Sequence, residues 1–214
     1  MKNECARIGL ILVSAVLSGV AGAAGDPAAG SGKAAACTAC HGPEGNSVNA
    51  EWPKLAGQIP EYLVKQLHDF KAGKRSDQMM SPMAQPLTEQ DIQDLAAYYG
   101  SQKVQAGAGD AEKRAHGEKI YTKGKQRPTV LACTGCHGAT GQGNREWGQR
   151  LAAPPAVLAP ALGSQHQTYI VKQLKAYQQG TRKNDVGHVM RDIANRLTEQ
   201  DIVAVAEYIA NLGR

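Results

Sequence analysis

Cys37-Thr38-Ala39-Cys40-His41-Gly42 recurs 96 residues later as Cys133-Thr134-Gly135-Cys136-His137-Gly138. Outward from this pair, two more blocks repeat in the same order. Tyr62-Leu63-Val64-Lys65-Gln66-Leu67 returns as Tyr169-Ile170-Val171-Lys172-Gln173-Leu174, and Leu87-Thr88-Glu89-Gln90-Asp91-Ile92 returns unchanged at Leu197 to Ile202. Three shared blocks in one order mean a duplicated unit. The offset grows from 96 to 107 to 110 residues. The second copy thus carries 11 extra residues after its cysteine motif, where Pro154 and Pro155 mark a loop, and 3 more between Gly180 and Met190. Val104 to Asp110 is rich in Gly and Ala and lacks periodicity, so it reads as a linker between domains at 24–105 and 106–214.

Both copies read as helical. Thr88 can cap a helix with Asp91 at the capping-box position, and Ile92, Leu95, Ala96 and Tyr99 then fall on one face. Thr198 introduces the matching set Ile202, Val205, Ala206 and Ile209. Leu63, Leu67 and Phe70 mark a middle helix, as do Ile170, Leu174 and Tyr177, and a shorter helix leads into each motif from about Ala28 and about Ala111. No alternating strand pattern is visible. The fold class is all-α: two tandem small helical domains with long loops that need something to organise them.

Aromatic residues are 5% of the 214, with a single Phe, so each domain has little from which to build a core. A large apolar cofactor would supply it. Residues 1–23 read as a signal peptide. Lys2 and Arg7 precede an apolar run from Ile8 to Val20, and Ala21-Gly22-Ala23 fits small-residue cleavage after Ala23. Export to the periplasm follows, with an uncleaved anchor as the alternative. Cys5 lies inside this segment.

Cys-x-x-Cys-His is the attachment signature of a c-type haem. Two thiols on one helical turn add to the haem vinyl groups, and the adjacent His reaches the iron. A redox dithiol would not require His at the next position twice. A zinc site would need the two pairs to converge or further ligands nearby. The reading is therefore two covalent haems, at Cys37 and Cys40 and at Cys133 and Cys136, with His41 and His137 as axial ligands. For the second axial ligand the first copy offers Met79, Met80 and Met83, the second only Met190. Met80 precedes Leu87 by seven residues, as Met190 precedes Leu197, which selects Met80 and Met190, each in a loop just before the last helix, and leaves Met83 as packing. His68, His116, His166 and His188 lack counterparts and read as surface residues, with His188 the rival to Met190. Pro53 and Pro160 match across the copies, as do Gln58 and Gln165. Each proline carbonyl is a candidate acceptor for the motif histidine, or else simply a rigid turn. Gly42 and Gly138 read equally as helix caps or as close approach to the ring.

With these motifs, the paired methionines and Pro53-Lys54-Leu55-Ala56-Gly57-Gln58, the chain resembles the dihaem cytochrome c4 family over its whole length after residue 23. The resemblance implies two cytochrome c-like domains, each wrapped around a haem, facing one another across a pseudo-twofold interface. It implies a periplasmic carrier passing electrons between redox proteins, towards a membrane-bound terminal oxidase. It also implies axial methionines at Met80 and Met190. The Pro-rich insert at Ala152 to Pro160 departs from the pattern.

Charge is uneven. Residues 24–107 hold 7 Lys/Arg and 9 Asp/Glu; residues 108–214 hold 15 and 9. Such a dipole would orient docking to a charged partner or allow peripheral membrane association, and would favour the reduced form at the second haem. Diffuse basic charge and few aromatics argue against nucleic acid. Two saturated irons argue against a small-molecule substrate, and so against a dihaem peroxidase or a thiosulfate-oxidising enzyme. A tethered oxidase subunit is the other alternative.

Overall fold

Asp26 starts the first helix, α1 (Pro27–Lys33): its carboxylate accepts from the Ala28 N–H at 2.8 Å, and Pro27 occupies the first turn. The computed structural model describes residues 25–107, 114–145 and 159–213. The signal-peptide reading, the linker from 108 to 110, the start of the second copy near Ala111 and the insert around Pro154 and Pro155 lie outside the described residues.

In the first copy α1 is followed by α2 (Ala35–His41), α3 (Pro60–Lys71), α4 (Met80–Ala84) and α5 (Glu89–Ser101). In the second, α6 (Arg114–Lys123) is followed by α7 (Thr134–His137), α8 (Gln167–Gln178), α9 (Val189–Ala194) and α10 (Glu199–Ala210). Both predicted capping boxes form: the Thr88 and Thr198 hydroxyls accept from the Asp91 and Asp201 N–H groups, and each aspartate accepts from the backbone N–H of its threonine. Helix α1 packs on α5, and α6 on α10. Glycine makes both crossings close. A Cβ on Gly30 would stand 2.1 Å from the Asp94 carbonyl oxygen, and one on Gly117 2.0 Å from that of Ala204. Leu63, Leu95, Ala96 and Tyr99 form one core; Tyr121, Ile170, Leu174, Ile202, Val205 and Ile209 form the larger second one.

Three features differ from the sequence reading. A short antiparallel hairpin, β1 (Lys125–Gln126) with β2 (Thr129–Val130), follows α6, so the second copy is not purely helical. Two-residue strands are too short to show alternation. Met80 and Met190 lie in the short helices α4 and α9 rather than in loops. The 3 residues gained by the second copy before Met190 form a turn at Val186–His188, in which Gly187 and His188 have positive φ.

The two copies join through residues that exchange roles. Arg75 donates to the Tyr169 hydroxyl at 3.1 Å and to Gln173 Oε1 at 3.0 Å. Arg182 donates to the Tyr62 hydroxyl at 2.8 Å and to Gln66 Oε1 at 3.2 Å. Each guanidinium stacks 4.6 Å from a ring of its own copy, Phe70 for Arg75 and Tyr177 for Arg182. All these residues correspond at the offset of 107, so the interface has pseudo-twofold symmetry.

The α1–α5 contact carries a pH dependence. Asp94 is 2% exposed. The Lys33 ammonium at 2.6 Å, then the Asp26 N–H at 2.8 Å and the Gln90 amide, hold its carboxyl down at about 2. An unfolded aspartate titrates near ~4. A depressed folded value means that the stabilisation is full above about 4 and is lost as pH falls through about 2. Asp94→Asn is expected to lower the urea midpoint at neutral pH and to flatten its fall between about pH 4 and 2. Parallel urea titrations of the two proteins across that range check this.

Candidate functional site

Cys37, Cys40 and His41 share helix α2; Cys37 and Cys40, three residues apart, lie on one face. In the second copy Cys133 caps α7, which holds Cys136 and His137. Gly42 and Gly138 end these helices at φ of 75° and 80°. Such values favour glycine and support the cap reading. A Cβ on Gly42 would also lie 2.2 Å from the Asn46 carbonyl oxygen.

Both motif histidines are buried, at 5% and 7% exposure. His41 Nδ1 donates to the Pro53 carbonyl and His137 Nδ1 to the Pro160 carbonyl, each at 2.9 Å. A carbonyl can only accept, so Nδ1 carries the proton and Nε2 keeps its lone pair. Burial pushes both imidazoles below the ordinary histidine range, against the opposing pull of the proline carbonyls. Each ring is therefore a neutral nitrogen donor.

The thiols have the opposite character from a redox dithiol. Burial raises Cys37 and Cys136, and pushes Cys133 up to about 11. A reactive dithiol needs a depressed value. The four motif cysteines are free of disulfides. Among the described residues no cluster of three or more His, Cys, Asp or Glu side chains could hold a bare metal ion, so a zinc site finds no support there.

A cavity of about 730 Å³ runs across both copies, and both Cys-x-x-Cys-His motifs line it. Leu63, Leu95, Ile170 and Leu174 contribute to its apolar wall. Met80 and Met190 line it, as do Met79 and Met83, which are 60% and 43% exposed. His188, the rival to Met190, is exposed. The His68 and His116 side chains are exposed and lie against carboxylates away from the cavity, His68 Nε2 3.1 Å from Glu89 and His116 Nε2 3.0 Å from Asp201. His166 is not a surface residue. Its Nε2 lies 2.9 Å from the Ser47 carbonyl and 3.0 Å from the Ser47 hydroxyl, across the interface. It stands where the first copy has Ile59, and no local pattern signals a partner 119 residues away.

These residues fit a haem. Apolar walls suit the ring, paired thiols suit thioether formation, and a neutral nitrogen donor adjoins each pair. The Tyr99 hydroxyl is buried beside the Cys37 thiol, a weak partner, and makes no hydrogen bond to an oxygen or nitrogen among the described residues, which suits a site shaped around a further group. Arg75 and Arg182 also line the cavity and share the Gln66 and Gln173 oxygens, with no carboxylate bonded to either guanidinium among the described residues. A cofactor carrying carboxylates would complete that arrangement.

The cytochrome c family model matches residues 28–103 and 114–213. Cytochrome c4 of Thiocapsa roseopersicina is 47% identical over 191 residues, covering 89% of this chain and 94% of that protein. The chain belongs to the cytochrome c4 family. The solved structure of reduced recombinant cytochrome c4 from Pseudomonas stutzeri superposes with a TM-score of 0.80 at 43% identity, over 88% of this chain and all of that one. A thiosulfate dehydrogenase electron acceptor of Stutzerimonas stutzeri is 33% identical over 185 residues, 85% of this chain and 81% of that protein. As a cytochrome c4 the chain is a dihaem c-type electron carrier with two cytochrome c domains. When bound, each haem supplies an iron that takes up and gives back one electron. The chain's own residues would anchor that group, orient a nitrogen donor towards it and exclude water from it.

Cys133→Ala with Cys136→Ala is expected to release about half of the haem into acidified organic solvent, against almost none from the parent. Haem quantified in the polypeptide and solvent fractions gives the result. Retention of both haems would show attachment elsewhere.

Proposed function

We propose that this cytochrome c4 is a periplasmic one-electron shuttle. Its haems are bound through Cys37 and Cys40 and through Cys133 and Cys136, with axial pairs His41–Met80 and His137–Met190. One observation supports this above the others: in both copies a neutral, carbonyl-anchored histidine and a methionine at matched positions line the same cavity. A histidine nitrogen and a thioether saturate an iron and raise its potential, which suits electron transfer and leaves no place for a substrate. We read the chain as a non-enzyme on that ground. Single electrons would enter from a quinol-oxidising complex or another donor and leave towards a terminal oxidase. The relative named as an electron acceptor of thiosulfate dehydrogenase favours a sulfur-oxidising enzyme as a second donor class. Residues 1–23 would direct export and be removed, leaving domains at 24–105 and 106–214.

The oxidised protein is expected to show the weak methionine–iron band at about 695 nm. Met80→Ala and Met190→Ala should each abolish about half of it and lower the potential of the affected haem. A variant with its band and potentials intact would overturn the assignment at that site.

The charge difference between the halves gives an order of potentials. The second half carries 15 Lys/Arg against 9 Asp/Glu, the first 7 against 9. Positive surroundings favour the reduced iron. The C-terminal haem is expected to be reduced first in a titration followed by site-resolved NMR.

A further inference from the structure

Pro53 and Lys54 share one peptide group, and that group is engaged at both ends. Its carbonyl accepts from His41 Nδ1 at 2.9 Å, while its N–H donates to Gln165 Oε1 at 2.8 Å. Gln165 belongs to the other domain, 111 residues away. Its Nε2 in turn donates to the Lys54 carbonyl at 2.9 Å. The mirror arrangement is present. The Pro160 carbonyl accepts from His137 Nδ1 at 2.9 Å, and the Ala161 N–H of the same peptide donates to Gln58 Oε1 at 2.8 Å. Gln58 Nε2 donates to the Ala161 carbonyl at 2.9 Å. The backbone groups fix which end of each amide is oxygen, since an N–H can only donate and a carbonyl only accept. Gln58 and Gln165 are buried, at 6% and 4% exposure.

We propose that Gln165 and Gln58 are positioning residues that act across the interface, each tuning the haem of the opposite domain through one peptide unit and the motif histidine. The inference rests on the reading of His41 and His137 as axial ligands. Peptide resonance couples the N–H to the carbonyl oxygen. An acceptor on the N–H draws electron density towards that oxygen, and hydrogen bonds in series strengthen one another. A stronger acceptor at Nδ1–H makes the ring a more basic ligand. A more basic ligand favours the oxidised iron. Each glutamine therefore holds down the potential of the haem in the other domain.

A purely structural role predicts something else. Loosening the interface would admit water to both sites, and water also favours the oxidised iron. Potentials would then fall, and for both haems.

The test uses the full dihaem protein. In the reduced wild type the ring protons of His41 and His137 should carry the upfield ring-current shift of a ligand lying over a porphyrin. Its absence would overturn the axial assignment itself, before any variant is made. Gln165→Met keeps the length of the side chain and removes its hydrogen bonds. We expect the N-terminal haem alone to become easier to reduce, its reduced-to-oxidised ratio rising about two- to fivefold at fixed electrode potential. The His41 Nδ1–H resonance should move upfield while that of His137 stays. Gln58→Met should do the reverse. Gln165→Glu keeps an acceptor on the Lys54 N–H, so His41 Nδ1–H should move downfield, which provides a readout if the methionine variant does not fold. Tyr169→Phe removes a bond of Arg75 at the interface without touching either peptide, and should leave both histidine resonances in place. Equal shifts of both haems, a shift confined to the domain that carries the variant, or an unmoved His41 resonance would overturn the proposal.

Discussion

Each motif histidine is held by a hydrogen bond from Nδ1 to a proline carbonyl, inside a wall that excludes water. Burial alone would leave the imidazole neutral but free to choose either tautomer. The carbonyl removes that choice, because it can only accept. A neutral ring with its lone pair on Nε2 is what a metal requires, and the ring cannot turn without breaking a buried bond. The cysteines one and four residues earlier in the chain are placed by the same short helix. The loop that brings Pro53 or Pro160 into position is thus as necessary to the site as the motif. In the first copy Gly45 serves that loop: its carbonyl accepts from the Leu55 and Ala56 N–H groups, its φ is positive, and a Cβ there would stand 2.7 Å from the Tyr99 ring.

The loops that hold the histidines also form the contact between domains. Lys54 and Ala161 directly follow the two prolines and meet Gln165 and Gln58 of the opposite copy. Gly57 and Ser164, at φ of 63° and 62°, each donate an N–H to a carbonyl near the end of their last helix, Tyr99 and Ile209. One segment in each domain therefore anchors the histidine, packs on the last helix and faces the neighbour. A movement of the interface cannot leave the histidines undisturbed. The coupling follows from covalent continuity over five residues and needs no long pathway.

Much of this was legible in the sequence because duplication doubles every signal. The capping boxes, the middle helices and the pairing of Pro53 with Pro160 were visible from two copies where one would have been ambiguous. The hairpin was not, since two-residue strands carry no periodicity. The close helix crossings at Gly30 and Gly117 were missed because a glycine inside a helix has no local signature of what lies against it. The interface arginines were readable in principle: Arg75 with Arg182, and Phe70 with Tyr177, align at the offset of the middle helix. Their role stayed hidden because the tyrosine hydroxyls that they bond, Tyr169 and Tyr62, come from the other copy. Ser164 at positive φ has no signal in its own residue type and is seen only through its match to Gly57.

Where the copies differ, the two sites become electrostatically unequal. Asp77 accepts from the Met79 and Met80 N–H groups at 3.0 and 3.1 Å, which places a carboxylate at the start of the helix holding Met80. The equivalent position in the second copy is Asn184, which instead bonds Gln66 and Asp69 of the first. Next to it, Asp185 accepts from the Arg191 N–H at 3.0 Å and is paired with the Arg191 guanidinium at 2.7 Å, so its charge is offset. The three-residue turn at Val186–His188 lies between this carboxylate and Met190, and the Arg191 cation follows Met190 directly. An acidic group of the first site has thus been replaced in the second by a neutral amide and an ion pair. The charge difference between the halves is therefore present beside the methionines themselves, where short distance makes each charge count more than one spread over the surface.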